Sequence, residues 1–243
     1  MSIAIVSDVH GNRHAFQAVL ESIAAAGCER IWCLGDLVGY GADPDACVEL
    51  ARDHAELCLA GNHDLAVTGA IDASEFSAWA LTATTWTQAT IRPDTRGFLE
   101  GLTPSERRDG VALYHASPRD PVWEYVLSTD QAARCLEVQD ERIALIGHSH
   151  VALSFSRADH GATTGAPRLD GERVEVATGA WLLNPGSVGQ PRDGDPRAAW
   201  MELDLAGGEA RFHRVDYDIE GAGAAIRAAG LPEGLAERLR YGQ

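Results

Sequence analysis

Lysine is absent from this 243-residue chain, whose 20 basic residues are all arginine. A Schiff-base lysine and a phosphate-loop lysine are therefore excluded. Positive charge is scarce altogether: 36 acidic residues outweigh the arginines and leave a net charge of -16. A broad nucleic-acid or anionic-membrane surface needs a basic patch, so long nucleic acid is the least favoured partner and no membrane association is expected. A few clustered arginines still suffice for a local anion site. No apolar run approaches the roughly 18 residues of a membrane span. The chain leads straight into an apolar segment at residues 2–7, with no charged n-region or cleavage site, so no signal peptide is expected. Cysteines are few and scattered (Cys28, Cys33, Cys47, Cys58 and Cys135), odd in number and without a C-x-x-C pair. They read as buried thiols of a reducing compartment in preference to disulfides or zinc ligands, which points to the cytoplasm.

What is present is ordinary in bulk. Hydrophobic residues make up 45% and charged residues 23% of the chain, as in a typical globular protein with enough length for a full core. The first part alternates strand and helix. Residues 3–7, 30–34 and 56–60 read as strands, and residues 12–26 and 44–53 as helices. Asn12 is the expected cap and Gly27 the expected stop of the first helix. This rhythm implies a largely parallel arrangement with right-handed crossovers. Residues 65–101 break it: they read as helices at about 74–90 and 94–101, a helical insertion over one side of a strand-end cleft. Trp79 and Trp86, seven apart, share a helix face and serve to pack the insertion or, as a minority reading, to stack on a substrate. Strands resume at 111–114 and 143–146 around a helix at 129–138. The rest is β-rich, with strands near 151–156, 173–178, 181–183, 198–205 and 210–215. Turns at 159–161 and 207–208 suggest hairpins, and two helices near 219–229 and 232–241 follow. A single domain is expected.

Five short segments carry the chemistry: Asp8-Val9-His10, Gly35-Asp36, Gly61-Asn62-His63-Asp64, Tyr114-His115 and Gly147-His148-Ser149-His150. Each follows an apolar run that reads as a strand, and strand C-terminal ends are where open α/β sheets gather ligands. Taken singly, each has a bland reading as a turn, a helix cap or a satisfied polar residue. Jointly they offer carboxylate, imidazole and amide ligands in numbers sufficient for two metal ions. Such mixed O/N sets suit Mn²⁺, Fe, Zn²⁺ and Mg²⁺ better than Ca²⁺ or Cu. Gly35 would let the backbone turn tightly beside Asp36, whose two oxygens can serve two cations.

On these segments the chain resembles the calcineurin-like metallophosphoesterases, and among them the small bacterial and archaeal phosphodiesterase-like members, over residues 2 to about 200. The resemblance implies an α/β fold, a four-layer α/β/β/α sandwich of two mixed sheets with a dinuclear metal site. It implies that Asp8, His10, Asp36 and His150 hold one ion, and that Asp36, Asn62, His115 and His148 hold the second, with Asp36 bridging. It places His63 at the phosphate, with Asp64 orienting it. Two cations about 3.5–4 Å apart would generate a bridging hydroxide that attacks phosphorus. Manganese is the first expectation for both ions, with iron, zinc and magnesium as alternatives. The segment 183–192 resembles the loop that follows the last ligand strands in these members. There Pro185 and Gly186 read as a rigid turn, and Arg192 is a weaker candidate for phosphate contact. One position departs from the pattern: His115 is followed by Ala116, where glycine is usual, and a positive φ there would strain alanine by about 1–2 kcal/mol.

The substrate is a small phosphate ester, either a diester or a monoester, with nucleotides among the candidates. Tyr40 in Val38-Gly39-Tyr40-Gly41 serves either to stack on a base or to pack its loop. Ser117, Arg119 and Trp123 are further candidates for lining the cleft. Two other functional classes compete: a scaffold that keeps the fold without catalysis, and a slow nucleotide sensor. Ligand completeness argues against the scaffold.

Overall fold

The computed structural model describes residues 2–158 and 161–243, so Asp159 and His160 of the expected 159–161 turn lie outside the described residues. Two mixed six-stranded sheets stack face to face. The first has the order β3 (Leu57–Cys58), β2 (Arg30–Cys33), β1 (Ile3–Val6), β11 (Ala198–Asp204), β12 (Glu209–Val215), β9 (Arg173–Glu175). The second has the order β4 (Ser105–Arg108), β5 (Val111–Tyr114), β6 (Ile143–Leu145), β10 (Ala180–Pro185), β7 (Ala152–Arg157), β8 (Thr163–Pro167). Within the first sheet β1, β2 and β3 run parallel, and within the second β5 and β6 do. Those five strands precede the five candidate metal-ligand segments.

Strand β1 shows why the strands read as unbroken apolar runs. Ile3 and Ile5 face the second sheet, where Leu113, Ile143, Leu145 and Leu183 meet them. Ala4 and Val6 face the opposite way, onto Phe16, Val19 and Ile23 of α1 (Arg13–Ala26) and Val48 of α2 (Pro44–His54). A strand covered on both faces has no polar side to alternate with. The second sheet is covered likewise: Ala112, Ala144 and Leu182 pack on Ala132, Cys135 and Leu136 of α6 (Thr129–Val138). Helix, sheet, sheet and helix give the expected four layers. Asn12 caps α1 by accepting from the Ala15 amide at 3.1 Å, and Gly27 ends it at φ 77°.

Differences from the sequence expectations fall at the periphery. β4 and β8 were not anticipated; both are edge strands, largely exposed or half-buried, with no apolar alternation to mark them. The third strand shrinks from 56–60 to Leu57–Cys58. The 65–101 region holds the end of α3 (Asn62–Thr68), then α4 (Ala78–Thr90) and α5 (Pro93–Glu100). Residues 74–77 stay non-helical because Ser77 caps α4 from its side-chain oxygen. Trp86 packs into a cluster that joins α4 to α7 (Ile219–Ala228) and α8 (Glu233–Glu237). Trp79 lies across Gly234 of α8, where a Cβ would fall 2.4 Å from its ring. Both tryptophans pack helices, and neither lines the main cavity. The expected last helix splits into α8 and a 3-10 turn, Arg238–Arg240. No helix of the described residues is long and apolar enough to cross a membrane. All five cysteines are free, and only Cys58 is not fully buried.

Candidate metal centre

The C-terminal ends of β1, β2 and β3 from one sheet and of β5 and β6 from the other open onto a single point. Asp8, His10, Asp36 and His150 bring one ligand atom each to within 4.8 Å of one another, and Asp36, His115 and His148 form a second such group. Asp36 is common to both. Asn62, the first residue of α3, places its Oδ1 3.2 Å from His115 Nε2 and so joins the second group. All of these side chains are buried.

Hydrogen bonds fix which histidine nitrogens face the centre. His10, His115 and His150 each donate Nδ1–H to a main-chain carbonyl, of Val38 at 3.1 Å, Leu34 at 2.9 Å and Gln190 at 2.6 Å respectively. Their Nε2 lone pairs therefore all point inward, the arrangement that outer-shell carbonyls impose on metal-binding imidazoles. His10 Nε2 and His150 Nε2 lie 3.0 Å apart. Two lone pairs at that distance repel unless a cation lies between them. Asp8 Oδ1, Asp36 Oδ2 and His148 Nε2 are buried with no hydrogen-bond partner. Orphaned acceptors aimed at one centre are costly as they stand and are satisfied by divalent ions, so the residues present fit a metal site.

Burial sets the protonation of the cage residues. Desolvation pushes the Asp8 carboxyl up to about 7, helped by the Asp36 charge and opposed by His115. Asp36 is raised well above the usual carboxylate range, first by burial and then by Asp64. His10, His148 and His150 are held well below the usual imidazole range, mainly by burial, so each is neutral and ready to ligate.

The backbone here is strained. Asp8, His10, Asp36, His148 and His150 all adopt left-handed φ between 51° and 64°. Each costs about 1–2 kcal/mol for a residue with a Cβ, and such strain concentrates at functional sites. Ala116 is not among the positive-φ residues, so alanine in place of the usual glycine brings no such strain. Close approach does demand glycine beside Asp36. A Cβ on Gly61 would fall 1.9 Å from Asp36 Oδ1, and one on Gly35 2.6 Å from the Gly61 nitrogen.

The 184–192 loop clamps two of the candidate ligand segments together. Asn184, fully buried, donates to Gly147 O at 2.7 Å and Ser149 Oγ at 3.0 Å, and accepts from the Gly186 amide at 2.9 Å. Ser187 Oγ donates to Asp8 O at 2.8 Å, and the Val188 and Gly189 amides donate to Ser7 O and Asp8 O. Gly186 adopts φ 85°, as a rigid turn requires. The sequence reading named Pro185 and Gly186 but missed Asn184 and Ser187. Their signal, polar residues inside an otherwise apolar and turn-rich stretch, was visible but not distinctive.

Beside the cage opens a cavity of about 340 Å³. Its metal side presents Asp36, Asn62, His148 and His150, and His63 stands over them. The His63 ring lies 4.9 Å from His10, 4.5 Å from Tyr40 and 4.6 Å from Phe76, and its Nδ1 has no hydrogen-bond partner. Burial holds it well below the usual imidazole range. The Asp64 carboxylate does not hydrogen-bond His63 Nδ1. It accepts main-chain amides instead, from Gly61 at 2.9 Å, Val38 at 3.1 Å and Leu37 at 3.3 Å. It thereby ties the Asp36 loop to the start of α3, which positions His63 through the backbone. Tyr40 and Arg192 both line the cavity; Arg192 stacks 5.7 Å from the Tyr40 ring and donates to its hydroxyl at 3.4 Å. Trp123 lines the cavity as well. Ser117 and Arg119 are instead engaged with Glu124, at 2.5 Å and 2.9 Å. Phe76, Tyr125 and Arg238 were not foreseen. Each lies in a segment without a local motif and reaches the cavity only through the tertiary fold.

Comparison with known proteins agrees with this geometry. Residues 1–206 match the family model of the calcineurin-like phosphoesterase superfamily domain. An uncharacterised protein of Methanocaldococcus jannaschii is 37% identical over 249 residues, covering 99% of this chain and 98% of that one. The crystal structure of a metallophosphoesterase from Sphaerobacter thermophilus superposes with a TM-score of 0.91 at 39% identity, covering 100% of this chain and 99% of that one. A hypothetical protein of Pyrococcus horikoshii shares the fold, with a TM-score of 0.82 at 19% identity and coverage of 100% and 98%. Two mixed sheets meeting at a buried Asp/His cage, and a family match over most of the length, together mean that this chain belongs to the calcineurin-like phosphoesterase superfamily.

Proposed function

We propose that this protein hydrolyses a small phosphodiester or phosphomonoester with two divalent ions, manganese first among the candidates. Asp8, His10, Asp36 and His150 would hold one ion, and Asp36, Asn62, His115 and His148 the other. The observation that carries the reading is the set of buried acceptors without partners, Asp8 Oδ1, Asp36 Oδ2 and His148 Nε2, facing two imidazole lone pairs 3.0 Å apart. When bound, the ions would supply an activated water and positive charge against the phosphoryl oxygens.

The chain's own residues do the rest. His63 is neutral and carries a single N–H, which suits it to donate to a phosphoryl oxygen as negative charge builds. An anionic substrate beside it would raise its basicity and let it protonate the leaving oxygen. Asp64 holds the loop from which His63 projects. Arg192 is placed to bind a phosphoryl oxygen, since its Nε is buried and unpartnered. Tyr40 packs against His10 at 4.7 Å and limits where that ring can move. Five free cysteines fit a reducing compartment, the cytoplasm.

The test is hydrolysis of bis-p-nitrophenyl phosphate by metal-stripped protein, with and without added Mn²⁺. Activity that returns only with metal is the expected result. Folded protein that stays inactive with every divalent ion, on this diester and on p-nitrophenyl phosphate, would reject the reading.

A further inference from the structure

The cavity beside the cage is larger than one phosphoryl group requires. At about 340 Å³ it falls in the range of small-molecule pockets, about 300–1,000 Å³. Its second pole is cationic. Arg192 reaches it from the loop whose amide donates to His150 O at 3.1 Å, and Arg238 reaches it from the 3-10 turn. The two guanidinium carbons lie 5.7 Å and 5.9 Å from the centre of the Tyr40 ring, and that ring is 4.5 Å from His63. The pair is thus one aromatic ring removed from the reacting end of the cavity.

Neither arginine is neutralised by an acidic side chain among the described residues. Arg192 donates to Gln190 Oε1 at 3.0 Å and to the Tyr40 hydroxyl, and Arg238 to the main-chain oxygen of Gln243. Nearby arginines behave differently: Arg240 pairs with Glu220, Arg227 with Glu233, and Arg197 with Asp170 and Asp195. In a chain of net charge -16, two guanidiniums around one aromatic ring with no acidic side chain paired to either suit an anion. Burial and the Arg192 charge both depress the basicity of Arg238, as expected of cations held together. The Gly194 amide donates to Gly242 O at 3.0 Å and so ties the two arginine-bearing segments to each other. Three aromatic rings line the rest of the wall, where Phe76 and Trp123 sit edge-to-face at 5.6 Å and Tyr125 stacks on His148 at 4.0 Å, and Glu75, Ser77 and Ala80 complete it.

We propose that Arg238, together with Arg192, forms a second anion subsite that selects phosphate esters carrying a further phosphoryl group and a planar aromatic group, the chemistry of a nucleoside polyphosphate. The proposal rests on the phosphoesterase reading above for the reacting end and adds a specificity residue from the C-terminal segment. Arg238 acts on binding, and a guanidinium suits phosphoryl oxygens better than an ammonium because it can donate two parallel hydrogen bonds.

The experiment compares ADP with AMP as competitive inhibitors of bis-p-nitrophenyl phosphate hydrolysis, at constant free Mn²⁺. Wild-type protein should bind ADP at least about tenfold tighter than AMP, the worth of one charge-assisted contact. Arg238→Gln should reduce that preference to under about threefold, and Arg238→Lys should restore part of it, by the same reasoning. Calorimetric titration of metal-free protein with both nucleotides reads the same preference without turnover. An equal response to ADP and AMP in wild type, or a preference that survives Arg238→Gln, overturns the subsite. If neither bis-p-nitrophenyl phosphate nor p-nitrophenyl phosphate is cleaved, the phosphoesterase reading falls separately, and the calorimetric preference still decides the subsite.

Discussion

Asp8 and His63 show how one buried environment produces two roles. Burial makes Asp8 hold a proton up to about pH 7, although the usual value is near 3.8. The folded protein then keeps a proton that the unfolded chain has released. This group's contribution to stability is full below about pH 4 and is lost as pH rises through 7. A metal ion must displace that proton. Mn²⁺ affinity should therefore weaken by about tenfold per pH unit below 7 for each proton displaced. Calorimetry at pH 6 in buffers of different ionisation enthalpy would count those protons; binding heats that do not depend on the buffer would refute the assignment. His63 has the opposite expectation, because it faces the cavity and is outside the ligand groups. His63→Ala should lower turnover by about 10²–10⁴-fold while metal content stays near wild type. Loss of metal would move His63 into the cage. At this scale the residues of the buried Asp/His groups were legible because each lies shortly after an apolar strand. The route by which Asp64 acts was not legible, because its partners, the amides of Leu37, Val38 and Gly61, become neighbours only after the loops fold. Arg238 was illegible because a lone arginine in a C-terminal helical stretch resembles any solvated one.

Elements tell a similar story. Strands covered on both faces announced themselves as unbroken apolar runs, and α1 announced both its ends through Asn12 and Gly27. Edge strands β4 and β8 did not, since an edge needs only main-chain pairing on one side and tolerates Ser-Glu-Arg-Arg. The 184–192 loop was recognised as rigid, but its reach was not visible in one dimension. It spans to Asp8 on one side and to Gly147 and Ser149 on the other. Asn184→Ala would leave Gly147 O, Ser149 Oγ and the Gly186 amide underbonded in a buried place. A loss of about 2–5 kcal/mol in unfolding free energy follows from such unpaired groups. Metal affinity should fall by about 10–100-fold, as when other outer-shell partners are removed. Denaturant melts of metal-free protein and a chelator competition would separate the two effects. Unchanged affinity would mean that the clamp is structural only.

For the whole molecule, the decisive fact is that neither sheet owns a complete centre. The first sheet's strand ends lead to Asp8, His10, Asp36 and Asn62, and the second's to His115, His148 and His150. Each candidate ion site draws on both. The two groups share Asp36 across the interface where Ile5, Trp32 and Leu34 meet Leu113 and Leu145. A metal ion held here would be a cross-link between layers, formed only when the layers are in register. The centre is thus also a clock for assembly. During refolding with Co²⁺, far-UV circular dichroism would report strands and helices as they appear. The visible absorption of the coordinated ion would begin only once the two sheets have closed on each other. A lag between the two signals would time that closing step, and a lag that lengthens in Ile5→Ala, which thins the packing between the sheets, would identify the docking of sheet on sheet as the event the metal records.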